Sequence, residues 1–324
     1  MPEQMADRKH ILITGVSGFV GTSLVNYLQK KIQGVSIIGA SRRKKSISHF
    51  YPILKQCVSN AEIFDMPVRA YSYVHLSGKV YDVRDKNNEE EYYKANYEAT
   101  KELFNHFIKD PEAKKFLFLS TIHVLTESPD TVLDEAYNPE PFTPYGKSKY
   151  LAEKYIQQNC PPDKDYYILR PSMIHGPGNK GNLNLLYSLI DKGIPYPIGA
   201  INNKRSFVSI ENLCFTIHEL IFGNVKKGLY HIADDDATFT HDLVKLIANV
   251  TNQKPRMLNI PPCLLRGMAR LGDYIPLIPL NTHRLNKLTG DFVVSNKKLK
   301  KEIGKPFPVK SEEGLKFTLG NLYD

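Results

Sequence analysis

Apolar residues come in short solid runs through the first half of the chain, each closed by small polar residues. HILITG (residues 10–15) is the first; Gly15, Gly18 and Gly21 follow, and helical spacing then holds from Ser23 to Lys30. VSIIGAS (35–41), YSYVHLSGK (71–79) and KFLFLSTIHV (115–124) repeat the run, with helical spacing over 89–108 between the last two. A strand that is apolar at every position is buried on both faces, and its alternation with helices predicts βα units in a parallel sheet. The expected fold class is therefore α/β, a doubly wound parallel sheet whose chemistry gathers at the carboxyl ends of its strands.

After His175-Gly176-Pro177-Gly178 the rhythm breaks, and glycine and proline become frequent. That composition suits a smaller, irregular lobe. The expected division is a sheet domain over 1–175, rejoined by segments around 205–235, and a C-terminal lobe drawn mostly from 176–324.

A glycine turn with a strand before it and a helix after it leaves backbone N–H groups and a helix N-terminus open to a pyrophosphate. Gly15, Gly18 and Gly21, with Phe19 and Val20 between them, are the candidate dinucleotide cradle; a glycine-rich turn without a ligand is the other reading. Where VSIIGAS ends, an NAD-binding chain usually places an Asp or Glu for the ribose hydroxyls. From Arg8 to Ala61 there is no acidic residue, and the strand runs into Arg42, Arg43, Lys44 and Lys45. A guanidinium there suits a ribose 2′-phosphate through a charge-assisted hydrogen bond of about 1.5–3 kcal/mol. NADP(H) is thus favoured over NAD(H), a solvated basic turn being the alternative.

With 324 residues, 42% apolar and 24% charged, the chain has ordinary globular composition. No apolar span reaches membrane-crossing length, and HILITG is too short for a signal-peptide core. The expectation is a cytoplasmic protein without stable membrane insertion. Cys57, Cys160, Cys214 and Cys263 are scattered, so neither a disulfide framework nor a metal site is indicated, and buried thiols are expected. A net charge of +9 suits nucleic acid, an anionic membrane surface or a phosphorylated small molecule. The first lacks any zinc-finger, helix-turn-helix or aromatic RNA-binding signature, so no nucleic-acid partner is expected.

FTPYGKSKYLAEKY (142–155) places Tyr145 four residues before Lys149, and Tyr150 four before Lys154. One helical turn apart, an ammonium can lower a phenol's pKa and make it an acid and base for carbinol chemistry. The spacing alone decides nothing: Tyr27/Lys31, Tyr51/Lys55 and Tyr97/Lys101 share it, and roughly two such pairs arise by chance.

Context decides it. TGVSGFVG, HLSGK, FLSTIHV, PYGKSKYLAEK and LRPSMIHGPG, in this order and spacing, resemble the extended short-chain dehydrogenase/reductases. The likeness is to their NAD-dependent epimerase/dehydratase branch, which acts on nucleotide sugars, and it covers nearly the whole chain. It implies a Rossmann-type sheet and a smaller substrate lobe. The branch's PYGxSK motif with its following acidic residue is matched by Tyr145, Lys149 and Glu153.

By that resemblance Tyr145 is the acid/base, Lys149 holds the nicotinamide ribose and keeps the phenol acidic, and Thr121 hydrogen-bonds the reacting oxygen. Leu76 and Ser77 join the cofactor site. A free phenol must fall by roughly three pKa units, about 4 kcal/mol, to act near neutrality, which Lys149 and an oxidised nicotinamide are expected to supply. At ~100° per residue Tyr150 points about 140° from Tyr145, so Tyr150/Lys154 belongs to the helix surface or a dimer interface.

GNL (181–183) and KRSFVSIENL (204–213) resemble the family's sugar-nucleotide elements, placing Asn182 and Arg205 at the substrate diphosphate. Lys79 and Leu183 complete the expected substrate set. Met173 and Leu125 stand where the family commonly has Asn and Tyr, which points away from the standard galactose epimerases. STIHV, HLSGK and RPSMIHGPG are similar to reductases of UDP-4-keto-6-deoxy-N-acetylhexosamines in surface polysaccharide synthesis. The leading expectation is therefore NAD(P)H-dependent reduction at C4 of such a UDP-sugar. An NAD-dependent UDP-N-acetylhexosamine 4-epimerase is the alternative, and a cofactor-sensing binding protein the third reading. The resemblance also implies a homodimer built on the helices containing Asn96 and Tyr145. Residues 261–285 interleave apolar and basic side chains; a lid or wall over the sugar is expected, with a membrane-surface helix as the alternative.

Overall fold

The computed structural model describes residues 10–41, 51–65, 69–80, 88–179, 181–197, 199–275 and 281–322, without the side chain of Asn182. The chain opens with β1 (His10–Thr14), α1 (Phe19–Lys31), β2 (Ser36–Ala40), β3 (Leu54–Val58), α2 (Glu62–Asp65) and β4 (Ser72–His75). α3 (Glu89–Tyr92) passes through a π turn (Tyr93–Glu98) into α4 (Ala99–Lys109), so the helix expected over 89–108 is interrupted. β5 (Lys115–Leu119), a 3-10 turn (Ile122–Val124), α5 (Pro144–Asn159) and β6 (Asp165–Pro171) follow.

The second half holds β7 (Met173–His175), α6 (Asn182–Asp191), β8 (Lys204–Arg205), β9 (Phe207–Ser209), α7 (Ile210–Phe222) and β10 (Gly228–Ile232). β11 (Thr238–Phe239), α8 (Thr240–Val250), α9 (Pro262–Tyr274), α10 (Thr282–Thr289), α11 (Lys297–Ile303) and α12 (Ser311–Gly320) complete it. Seven strands form one sheet in the order β10-β6-β5-β4-β1-β2-β3, every pair parallel.

Alternation inside the apolar strands feeds two cores. Ile11 and Ile13 of β1 pack with Leu24, Val25 and Leu28 of α1 and Leu213 and Ile217 of α7. Leu12, between them, joins Phe104 and Phe107 of α4 and Ala152 and Ile156 of α5 on the other face. A third cluster, with Leu183, Val244, Ile247, Leu265, Leu285 and Leu319, is the centre of the C-terminal part.

The strand order reverses between β1 and β4, the crevice where open α/β sheets bind ligands. Thr14 and His75 are register partners at the carboxyl ends of these strands. The Thr14 hydroxyl lies 2.6 Å from His75 Nδ1, and His75 Nε2 lies 2.9 Å from Thr100 Oγ1. Thr100 in turn donates to the Asn96 carbonyl. That order of donors assigns the Nε2–H tautomer to His75. Burial, then Lys149, pushes His75 down to about 3, so it is neutral at physiological pH.

Two expectations are corrected here. Cys214 is buried, but Cys57 and Cys160 are half-buried and Cys263 on α9 is exposed. Tyr150 is not a free surface residue: its ring packs on the buried cluster of Ile122, Val124, Leu125 and Leu133, with Lys154 Nζ 5.4 Å from its centre. The 3-10 turn after β5 supplies that apolar seat.

Candidate active site

The glycine turn sits against the ends of β2 and β4. Gly15 N donates to Ala40 O, and Gly18 N donates to Gly15 O. A Cβ on Gly21 would lie 2.2 Å from Gly15 O, so only glycine lets α1 close onto the turn. Gly18 is the N-cap of α1, with no side-chain cap and no acidic residue in the first turn. The amides there are unobstructed, a cradle that fits a pyrophosphate. Phe19 and Val20 are half-buried at the start of the helix, with Val20 packed on the core. Leu76 N donates to Thr14 O and Ser77 N to Thr14 Oγ1, which places both residues beside the turn. Ser17 and Ser41 join through their hydroxyls, 2.5 Å apart, at the end of β2. Arg42 and Arg43 lie outside the described residues.

The helix carrying Tyr145 starts with a cap. Thr143 Oγ1 accepts from Gly146 N at 3.1 Å, and Pro144 takes the first turn, where its missing N–H costs nothing. A Cβ on Gly146 would meet His123 O at 2.7 Å, so α5 can press against the 3-10 turn only with glycine here. The contact sets Tyr145 beside Thr121, whose hydroxyl favours the ionised phenol. Thr121 itself is buried, and its Oγ1 accepts from His123 N. Tyr92 meets the Tyr145 ring edge-on, centroids 6.3 Å apart.

Lys149 lies one turn beyond Tyr145 and is 5% exposed. Its Nζ donates to Leu119 O at 2.9 Å, 4.7 Å from the centre of the Phe118 ring. Burial pushes Lys149 down to about 8 against the opposing pull of Glu153. Burial pushes Tyr145 up to about 12, against the lowering that Thr121 contributes. The lowering expected from Lys149 is absent because its ammonium is held at the Leu119 carbonyl and the phenol is desolvated.

The motif's acidic residue, Glu153, and residues given no site role beforehand brace this group. Glu153 takes a bidentate pair from Arg170, Nη2 to Oε2 at 2.6 Å and Nε to Oε1 at 3.0 Å. It also accepts from Ser120 Oγ at 2.5 Å. Asn96, fully buried in the π turn, accepts from Lys79 N and donates to Lys79 O and Ser148 Oγ. π turns inside helices commonly mark functional sites.

The expected substrate residues are placed unevenly. Lys79 pairs with Glu91 at 2.5 Å and stands 4.8 Å from the centre of the Tyr92 ring, near Tyr145. Leu183 is 4% exposed within the C-terminal core, so its side chain packs rather than lining a site. Asn182 begins α6. Arg205 Nη2 donates to Lys287 O at 2.5 Å and Leu288 O at 3.3 Å, capping α10. Burial, then Lys287, pushes His123 down to about 4, so it is neutral where the catalytic turn faces α10. Among the described residues no group of three His, Cys, Asp or Glu could hold a metal ion, and no helix is long and apolar enough to cross a membrane.

A family model described as the NAD dependent epimerase/dehydratase family matches residues 11–233. The chain belongs to this family. Members are nicotinamide-dependent enzymes, which fits the turn, the capped α5 and the Thr121–Tyr145 pair. The UDP-glucose 4-epimerase of Vibrio cholerae is 29% identical over 322 residues, covering 96% of this chain and 94% of its own. The N-acetyl-alpha-D-glucosaminyl-diphospho-ditrans,octacis-undecaprenol 4-epimerase of Escherichia coli O157:H7 is 29% identical over 300 residues, with 90% and 85% covered. The crystal structure of UDP-glucose 4-epimerase from Thermotoga maritima, with UDP-glucose, shares the fold at a TM-score of 0.75 and 20% identity, covering 96% of this chain and 98% of that one. Further neighbours of the same fold were solved with NAD or with NADPH.

Proposed function

We propose that the chain is a C4 epimerase of a UDP-linked sugar, with a UDP-N-acetylhexosamine as substrate. The observation that carries C4 chemistry is the Thr121 hydroxyl on the Tyr145 phenol at the carboxyl end of β5, with Lys149 fixed on Leu119 O beneath it. The epimerase reading takes precedence over the reductase favoured by the motifs because the two relatives that are 29% identical, over 96% and 90% of the chain, carry 4-epimerase names, whereas a 4-dehydrogenase and a reductase match at 23% and 20%.

When bound, a nicotinamide ring supplies hydride uptake and return at the sugar carbon. The first-turn N–H groups of α1, after Gly18, would hold its pyrophosphate, and Lys149 its ribose. Tyr145 exchanges the proton of the C4 hydroxyl, and Thr121 keeps the phenol oxygen aimed at that hydroxyl. Arg205 and Asn182 meet the diphosphate in this reading, Arg205 through the guanidinium nitrogens not directed at α10. The Escherichia coli relative's name specifies a lipid diphosphate carrier, so a sugar diphosphate is the chemistry common to both relatives. A homodimer through α4 and α5 is part of the proposal, with Tyr93 and Leu151 exposed on that side.

The second reading is reduction of a UDP-4-keto-6-deoxy-N-acetylhexosamine with NADPH. Two observations favour it: a phenol at about 12 holds its proton at neutrality, as a donor must, and the end of β2 offers Ser41 rather than a carboxylate. One experiment separates the two. The purified protein is denatured, any nicotinamide nucleotide released is identified, and intact protein is incubated with UDP-N-acetylhexosamines. Stoichiometric NAD and interconversion of the C4 epimers support the epimerase. NADPH preference and turnover of a 4-keto sugar transfer the assignment to the reductase, and no turnover of either sinks C4 chemistry.

A further inference from the structure

α9 has two apolar faces, and only one is covered. Leu265 and Ala269 turn inward and pack with Leu285 of α10 in the C-terminal core. Leu264, Met268 and Leu271, continued by Ile275 at the C-cap, are 58%, 45%, 57% and 45% exposed. At ~100° per residue these four span an arc of roughly 60°, centred about 110° from the buried pair. Arg266 and Arg270, both exposed, occupy the remaining sector.

A helix that only covers a lobe needs one apolar stripe and gives polar residues to its open sides. A lid over the sugar would use the inward face, so the lid expectation leaves the outward stripe without a role. Clustered exposed apolar residues mark an interaction surface, and the two arginines lie about 150° around the helix from the stripe, on its polar face. Tyr274, 87% exposed, stands at the end of the helix, an amphipathic ring of the kind that settles at headgroup depth. The one acid on α9, Asp273, is turned to α10, accepting from Thr282 N at 2.9 Å and Thr282 Oγ1 at 2.6 Å. The chain's net charge of +9 adds a field that draws it to anionic surfaces.

We propose that the outward face of α9 docks the protein peripherally on an anionic phospholipid bilayer. Leu264, Met268, Leu271 and Ile275 enter the interfacial layer, and Arg266 and Arg270 reach back to the headgroup phosphates. The helix has 13 residues, about 20 Å of rise against a hydrocarbon core of about 30 Å, so it lies in the plane and does not span. The docking stands apart from the reaction proposed above, and its test needs no turnover.

The full chain is co-sedimented with vesicles of phosphatidylcholine alone and of phosphatidylcholine mixed with phosphatidylglycerol. The expected result is binding to the mixed vesicles only, lost at high salt. Leu264→Ser/Leu271→Ser and Arg266→Glu/Arg270→Glu should each lower the bound fraction at least about tenfold, with thermal melting and nicotinamide-nucleotide binding unchanged. The chain contains no tryptophan, so Leu271→Trp adds a single reporter whose emission should shift to the blue on the mixed vesicles. Absence of pelleting, an unshifted emission from the Leu271→Trp variant, or equal binding by all variants overturns the proposal. A changed sedimentation coefficient of the leucine variant without vesicles, with lipid binding intact, assigns the stripe to a second copy and equally overturns it.

Discussion

Arg170 Nη2 lies 2.6 Å from Glu153 Oε2, and almost nothing of either side chain meets solvent. Glu153 is one turn beyond Lys149, and its carboxylate also holds Ser120, the neighbour of Thr121. The pair thus locks α5 to β6 and to the end of β5. Removing one partner strands a buried charge. Glu153→Gln or Arg170→Met should cost about 3–5 kcal/mol in urea unfolding, and Glu153→Leu/Arg170→Met far less than the sum. A single-variant loss below about 1 kcal/mol would show that the pair does not anchor the helix.

Tyr145→Phe removes the proton carrier but keeps the ring against Tyr92. The rate at C4 should fall by about 10²–10⁴-fold while cofactor affinity holds, measured by turnover and nucleotide titration side by side. Thr121→Val, which frees the phenol to turn and removes the acceptor for His123 N, should lose less. Equal losses in the two variants would contradict the division of roles.

Burial sets Lys149 at about 8, below its ordinary 10.5. Below about 8 both folded and unfolded chains carry the charge, and the folded chain bears the full burial penalty. Between about 8 and 10.5 the unfolded chain binds more protons, so stability rises with pH, by about 3 kcal/mol at most. Activity moves the other way, falling above pH 8 as the ammonium that holds the ribose is lost. Urea melts across this window should show the rise in the native chain and not in Lys149→Met; the same slope in both would assign it elsewhere.

A methyl group on Gly21 collides with the Gly15 carbonyl at 2.2 Å. Gly21→Ala should leave a folded sheet weakened by about 1–3 kcal/mol and a cradle that binds nicotinamide nucleotide at least about 100-fold less well. Circular dichroism and fluorescence titration separate the two effects, and unaltered affinity would place the pyrophosphate elsewhere.

Arg205 is predicted to act twice. Arg205→Ala uncaps α10, lowering the thermal midpoint by a few degrees for a loss of about 1 kcal/mol, and raises KM for a UDP-sugar. A lower midpoint with KM unchanged would confine it to the cap. Arg42→Ala/Arg43→Ala should weaken NADPH more than NADH; equal losses would remove the 2′-phosphate contact.

What was legible in the sequence is what is local in it. The strand, glycine turn and helix around Gly15–Gly21 are one continuous segment, and Tyr145 and Lys149 are one turn apart. Thr14–His75, Asn96–Lys79 and Glu153–Arg170 join separate segments, and strand register, which the pattern of one chain does not display, decides who meets whom. The π turn was hidden because a single inserted residue barely disturbs helical spacing. Burial of the Leu183 side chain was missed even though the signal was present: Leu183, Leu186, Tyr187 and Ile190 recur at i, i+3, i+4 and i+7, the mark of a buried helix face.

Ser120 and Thr121 follow β5 with adjacent hydroxyls, one on Glu153 and one beside Tyr145. Because neighbouring side chains of an extended backbone point opposite ways, their order is an address: the first hydroxyl serves the scaffold and the second the reaction. Variation at the second position therefore reaches the chemistry while leaving the Glu153 lock in place, whereas inserting a single residue before Ser120 would send both hydroxyls to the wrong recipients.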